Sequence, residues 1–274
     1  WRTVEAMGQE VGYGTGITAG YLTKYSYDLL DDLTLVTQRI GAGGTIQNRT
    51  FTYDSLGRVV TAVNPESGTL NYRYDNNSNL TQKIDSRSPA VTVTDSYDFL
   101  NRLTGRSYSD STPAVTYTYD GTSVLNSKGR LTNVSSSASS YSYDEYDALG
   151  RVGIATQTTD GQAYVMNYTH DLAGHLKSQS YPSGRVVLLE YDGAGRTAGV
   201  RSQATGLFYA GGLATDDANR IEYSSHGSIG KMKLGNGLWE HTNFNSRLQT
   251  TQIRLGTAAA KSTVLQLDYS YGTT

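Results

Sequence analysis

The side chains able to do chemistry in this sequence are few and scattered. Its four histidines, His170, His175, His226 and His241, fall into none of the spacings that gather metal ligands. The chain has no cysteine, so disulfides, thiolate metal sites and thiol nucleophiles are excluded. Gly12, Gly14 and Gly16, and again Gly41, Gly43 and Gly44, superficially resemble phosphate-cradling loops. Neither run leads into the Gly-Lys-Ser/Thr that would place a cation and a metal ligand on phosphates, so both read as flexible connections. Asn48, Asn76, Asn79, Asn133 and Asn167 head glycosylation-type triplets, which matter only in a eukaryotic secretory pathway. A chain this rich in Asn, Ser and Thr produces such triplets by chance. No catalytic residue, cofactor or metal is expected.

Aspartate remains, and it returns in a fixed phrase. Tyr53-Asp54-Ser-Leu-Gly57-Arg58 reappears as Tyr97-Asp98-Phe-Leu-Asn101-Arg102, Tyr146-Asp147-Ala-Leu-Gly150-Arg151 and Tyr191-Asp192-Gly-Ala-Gly195-Arg196. Tyr27-Asp28 and Tyr74-Asp75 open two further copies. Tyr119-Asp120 opens another, whose turn is stretched before Gly129-Arg130-Leu131. His170-Asp171 and Thr215-Asp216 begin variants, His226 and a shortened Phe244 segment are weaker echoes, and Tyr271 looks like the start of one more. Copies begin 21 residues apart from Tyr53 to Tyr74, 23 from Tyr74 to Tyr97 and 22 from Tyr97 to Tyr119. A phrase repeated at this period is an architectural unit before it is a ligand clamp.

The elements that position the phrase follow from its flanks. Residues before each Tyr-Asp alternate, so Val115, Tyr117 and Tyr119 share one strand face and the threonines between them the other. The Asp carboxylate is placed to accept a backbone N–H two residues on and so start a turn. Gly57, Asn101, Gly150, Gly195 and Asn219 supply the positive φ that closes a hairpin. Val59, Leu103 and Val152 then begin the returning strand. Turns are expected at 54–57, 98–101 and 147–150, with the rings of Tyr53, Tyr74, Tyr97 and Tyr119 stacked into a ladder. One hairpin cannot bury its apolar face, so neighbouring units must join into a sheet that grows by repetition.

Composition agrees. Of 274 residues, 37% are hydrophobic and only 18% charged, against roughly a quarter charged in ordinary globular chains. Twenty-two tyrosines suit broad, half-exposed sheets, and 30 glycines against four prolines suit many turns. The net charge of −2 favours neither nucleic acid nor an acidic membrane surface, and no apolar stretch reaches a membrane span. Residues 135–140 are a serine-rich loop or irregular strand joining two hairpins. The chain opens at Trp1 without an initiator Met or a signal peptide and stops at Gly272-Thr273-Thr274, which suggests a fragment or processed chain. Propeller blades, calcium-binding β-rolls and choline-binding repeats are disfavoured. The chain lacks the Trp-Asp ending of the first, the Gly-Gly-x-Gly-x-Asp runs of the second and the tryptophans of the third.

From Tyr21 to Tyr271 the phrase resembles the YD repeat of the Rhs family, which includes bacterial polymorphic toxins, shell-forming components of insecticidal Tc toxins and the animal teneurins. The resemblance implies a long sheet spiralling into a hollow shell, which in the bacterial members encloses a toxic C-terminal domain. The family's shell-closing end carries an Asp-Pro-type autoproteolytic segment. Here the prolines follow Asn64, Ser88, Thr112 and Tyr181, so this chain resembles a run of wall.

The expected fold is all-β: tandem YD-repeat antiparallel β-hairpins forming one continuous spiralling sheet, part of a β-shell or tube. Residues 1–20 read as a leading irregular segment or incomplete repeat, and 21–274 as tandem repeats within a longer array. The expected function is a structural, non-enzymatic wall of a shell that encapsulates and helps deliver a toxin, in a secreted or cell-surface, bacterial setting. Its expected partners are flanking repeats or other copies at open sheet edges, and an enclosed toxin domain. Rival readings are a self-assembling extracellular tube or filament and a surface module for adhesion or glycan binding. No nucleic acid partner or membrane span is expected.

Overall fold

The computed structural model describes residues 2–7, 21–39 and 45–271. The glycine runs at 12–16 and 41–44 and the ends at Trp1 and 272–274 lie outside the described residues. The chain divides into two compact units, Trp1–Thr118 with Asn133–Ser140, and Tyr119–Thr132 with Tyr141–Thr274. All regular structure among the described residues is β, and no helix is long and apolar enough to cross a membrane.

In the first unit the strands are β1 (Arg2–Met7), β2 (Tyr21–Tyr27), β3 (Leu33–Arg39), β4 (Ile46–Tyr53), β5 (Val59–Asn64), β6 (Gly68–Tyr74), β7 (Leu80–Ile84), β8 (Thr92–Tyr97), β9 (Leu103–Tyr108) and β10 (Val115–Tyr119). Each pairs antiparallel with the next along the chain. Strands β11 (Leu131–Ser135) and β12 (Ser139–Tyr146) follow. The serine-rich segment between them is a tight turn, with Ser136 N donating to Ser139 O at 2.8 Å.

In the second unit β13 (Val152–Thr159), β14 (Gln162–His170), β15 (Leu176–Ser180), β16 (Val186–Tyr191), β17 (Thr197–Ser202) and β18 (Phe208–Gly211) pair serially in the same way. A five-stranded ladder follows, from β19 (Glu222–Tyr223), β20 (Ile229–Lys233), β21 (Trp239–Phe244), β22 (Thr250–Gly256) and β23 (Leu265–Asp268). The strand pairing therefore steps between β18 and β19 instead of running on as one ladder. The step is stitched by a lone bridge between Ala210 and Leu234 and by Ala198 O, which accepts from both Gly212 N and Ile221 N. Gly211 sits at this crowded point with φ of 68°, and a Cβ there would lie 2.2 Å from Ala198 O, so only glycine fits.

The alternation expected of the strands is present. Along β4, Gln47, Arg49, Phe51 and Tyr53 are half-buried while Ile46, Asn48, Thr50 and Thr52 are exposed. Directly opposed residues of antiparallel strands share a face, so Phe51, Ala62 and Leu70 form one lateral row across β4, β5 and β6. Among the described residues no large side chain is fully buried; the buried apolar residues are mostly small or β-branched, such as Val36, Ala62, Ala155, Val187 and Ala198. Burial in this fold comes from neighbours within the sheet, and it is spread thinly along the array.

Candidate functional site

The recurring phrase is the candidate site, and its geometry is the same in copy after copy. Asp54 N donates to Arg58 O at 3.0 Å and Gly57 N to Asp54 O at 3.0 Å, closing the hairpin tip. Asp54 Oδ1 accepts from Leu56 N at 2.9 Å and Arg58 N at 3.1 Å. Asp28, Asp75, Asp98, Asp147 and Asp192 accept from the same two positions two and four residues on. The residue three after Asp adopts positive φ: Gly57 at 71°, Asn101 at 60°, Gly150 at 80° and Gly195 at 75°. At the repeat tyrosine the register slips by one residue, as between Thr52 and Tyr53 or Glu190 and Tyr191. The residue after Val59 or Thr197 is thus bulged out, which bends the returning strand and raises its twist.

Arginine completes the turn and reaches out of it. Arg58 Nε donates to Asp54 Oδ2 at 2.7 Å, and Arg102, Arg151 and Arg196 do the same to Asp98, Asp147 and Asp192. Asp54 is held below the usual carboxylate range, first by the Arg58 side chain. Asp98, Asp147 and Asp192 are lowered first by the backbone N–H groups of Arg102, Arg151 and Arg196. The guanidinium also grips the next copy. Arg58 Nη1 donates to Asp75 O at 3.1 Å, and its Cζ lies 4.7 Å above the Tyr74 ring. Arg151 Nη1 donates to Asp171 O at 2.8 Å, and Arg196 covers Tyr223 at 4.7 Å.

The tyrosine returns the contact. Tyr74 OH donates to Val59 O at 2.9 Å, so each ring reaches back to the first residue of the preceding returning strand. Tyr53 to Leu33 O, Tyr97 to Leu80 O, Tyr146 to Leu131 O and Tyr191 to Leu176 O repeat the bond. Burial pushes the phenols of Tyr53, Tyr74, Tyr97, Tyr146 and Tyr191 up. The Tyr74 joint thus combines one phenol bond, one charged bond and one cation–ring contact between adjacent units, and the other copies keep the phenol bond with part of the rest. Tyr27 pairs with Leu33 across its own hairpin. Tyr119 ends β10 half-buried, and Asp120 anchors the stretched turn, with Asp120 N donating to Arg130 O at 3.0 Å.

Several sequence expectations are corrected here. No ring pair joins Tyr53, Tyr74 and Tyr97; the arginine of the preceding unit lies over Tyr74 where a ring ladder was expected. Asn219 does not adopt positive φ. Arg220 N donates to Asp216 O at 2.9 Å in a wider turn, and the Asn219 amide turns inward to Asp216 Oδ2 at 2.7 Å. The echo placed at His226 begins instead at Tyr223, whose OH donates to Thr197 O at 2.9 Å. The Phe244 copy is full length: Asn245 takes the aspartate place, Gln249 the arginine place, and Leu248 the positive-φ place at 62°. His170 and His175 occupy tyrosine and arginine places, with His175 stacked on Tyr191 at 4.6 Å and bonded to Asp171. The roles of Arg and of the tyrosine hydroxyl were missed. The constancy of a charge pair four residues apart was the available signal.

Among the described residues no group of three or more His, Cys, Asp and Glu converges as a metal site would require. What the geometry defines is a class: an all-β tandem-repeat wall in which hairpins are locked to their neighbours through a recurring Tyr-Asp-Arg joint. Residues 53–89 and 170–206 match the family model described as RHS Repeat, so the chain carries RHS-type repeats at these two places. Its fold is similar to the crystal structures of TcdB2-TccC3-Cdc42 and TcdB2-TccC3-TEV, at TM-scores of 0.73 and 0.72 and 15% identity over 92% of this chain. TcdB2-TccC3 without hypervariable C-terminal region gives 0.72 over the same share. The chain spans about 13% of the length of these structures. No curated protein matches its sequence.

Proposed function

We propose that this chain is a stretch of non-enzymatic wall in an Rhs-type shell that encapsulates a toxin domain and helps deliver it. One observation carries the reading: the polar residues of the repeated phrase are engaged in turns and in joints to the next copy, and the side chains of the joint are consumed by building sheet. The fold shared with TcdB2-TccC3 and the RHS repeats support the same direction. On this reading residues 21–274 belong to a longer array, its partners are flanking repeats and an enclosed cargo, and the protein acts outside the cell that makes it, at a bacterial surface or after secretion. The alternative of self-assembly through sheet edges is favoured by β23, whose side chains are all exposed and which pairs only with β22 among the described residues.

Cryo-electron microscopy of the native full-length protein tests the proposal, together with protease protection of whatever it encloses. A hollow particle with a protected C-terminal segment is the expected outcome. Open filaments would favour self-assembly, and an activity abolished by one side-chain substitution in this region would overturn the non-enzymatic reading.

A further inference from the structure

The last five strands build a feature that the repeat does not explain. Glu222 stands opposite Lys231, Lys231 opposite His241, His241 opposite Arg254 and Arg254 opposite Gln266. Opposed residues of antiparallel strands project from one face, so these five side chains form a row straight across the ladder. Trp239 lies two residues before His241 on the same face. The segment after β22 folds back beside this row, with Thr257 N donating to Ala260 O at 3.0 Å and Val264 N to Leu255 O at 2.9 Å. It approaches so closely that a Cβ on Gly256 would lie 2.2 Å from Ala260 O. The result is a concavity of about 750 Å³ whose lining includes Glu222, Lys231, Trp239, His241, Ala258 and Lys261.

Its charges do not balance. Glu222 is the sole carboxylate among the lining residues, and Lys231 Nζ already holds it at 2.7 Å. No ion pair engages Lys261 among the described residues, and Arg254 Nε is buried without a hydrogen-bond partner. His241 is only 8% exposed, and its ring makes no hydrogen bond to a described residue. Burial holds the imidazole toward its neutral form, and Lys261, Arg254 and Lys231 add to that against the weaker opposing pull of Glu222. A largely buried imidazole and an unpartnered buried Arg254 Nε, set among cations, leave this face short of an anionic partner.

We propose that this concavity binds a small anionic ligand through a phosphate, sulfate or carboxylate group, held by Lys261, Lys231 and His241 with Arg254 adding positive field from the adjacent strand. A sugar ring stacked on Trp239 fits less well, because Lys231 lies 4.7 Å and Lys233 5.9 Å from that ring's centroid and cover it. The bound anion favours the imidazolium form of His241. Binding therefore takes up a proton and strengthens as pH falls through the histidine range.

Trp239 reports directly on the site. The chain has two tryptophans, so Trp1→Phe leaves Trp239 as the single tryptophan, read by excitation at the red edge where the tyrosines do not absorb. That variant is titrated separately with inorganic phosphate, sulfate and citrate, against chloride at matched ionic strength, between pH 5.5 and 8. We expect a saturable change with at least one of the three, tighter at low pH, and the preferred anion identifies the group recognised. Lys261→Met, at an exposed position, should weaken binding roughly tenfold, as loss of a charge-assisted hydrogen bond does. His241→Gln, checked for folding by circular dichroism, should flatten the pH dependence. A response that chloride reproduces, or one that Lys261→Met and His241→Gln both leave unchanged, would overturn the proposal. The titration reads this site alone and does not depend on whether the array closes as a shell.

Discussion

At the residue scale the joint divides labour among three side chains. Aspartate satisfies the N–H groups that a tight turn would leave unpaired, arginine holds the carboxylate while reaching the next unit, and tyrosine caps a carbonyl of the previous one. Each Asp–Arg pair alone is worth little in the solvent-screened setting of a hairpin tip; repetition makes the sum matter. Where the phrase carries glycine, the residue takes the same positive φ in each copy but is not equally needed for space. At Gly57 nothing lies closer than 3.9 Å to an added Cβ, whereas at Gly150 a Cβ would meet Arg130 Nη2 at 1.9 Å. Gly57→Val should therefore destabilise by about 1 kcal/mol or more through backbone strain alone. Gly150→Val should cost more, because Arg130 must also leave its place over Tyr146. Urea unfolding of the two variants measures the difference, and equal losses would show that Arg130 swings aside freely.

At the element scale the unit is a bulged hairpin whose partner lies in the next repeat. One copy exposes this by omission. In the Tyr74 copy the arginine place holds Asn79, which bonds Asp75 Oδ2 at 2.9 Å and Asn101 Oδ1 at 2.8 Å. Tyr97 consequently lacks the guanidinium cover that Arg58 gives Tyr74 and Arg196 gives Tyr223, and a hollow of about 370 Å³ opens beside it. Asn79→Arg should fill the hollow and stabilise the array by about 0.5–1 kcal/mol, the worth of an exposed cation–ring contact with its charged bond. A rise in thermal midpoint with Tyr97 intact, lost again in Asn79→Arg combined with Tyr97→Leu, is the expected pattern.

At the scale of the whole molecule, stability rests on many shallow, similar contacts instead of one core. No large side chain among the described residues is fully buried, while hydrophobic tips such as Leu30, Leu56, Leu100 and Leu149 stand exposed at the hairpin turns. The turn carboxylates titrate below their ordinary range. Groups whose folded pKa is depressed stabilise the fold above the unfolded value of about 3.9, and that contribution is lost as pH falls through the folded values. The array should hold its midpoint from pH 7 to about 5 and lose it progressively below pH 4, as Asp54, Asp98, Asp147 and Asp192 protonate. Circular dichroism melts from pH 7 to 2.5 check this. A midpoint unchanged at pH 3 would mean the turns survive without their carboxylates.

The sequence alone determined the repeat, the strand polarity and the turn. The period-two flanks of Tyr74 and Tyr119 and the chemistry of Asp-x-x-Gly are local, and local interactions within about six residues settle them. The same locality made the phrase legible as the RHS repeat. What it could not reveal was where Arg58 and the Tyr74 hydroxyl go, because their partners lie in a neighbouring copy, 17 and 15 residues away, and are chosen by sheet register. It also misplaced the late copies. Ser224 and Asn245 stand where aspartate was sought, yet their backbones close the same turn. The row from Glu222 to Gln266 exists only once five strands align, so neither its net positive charge nor the largely buried ring of His241 within it is visible along the chain. Tertiary structure decided these because lateral neighbours in a sheet are fixed by register, and a slip of one residue would turn every one of those side chains to the opposite face.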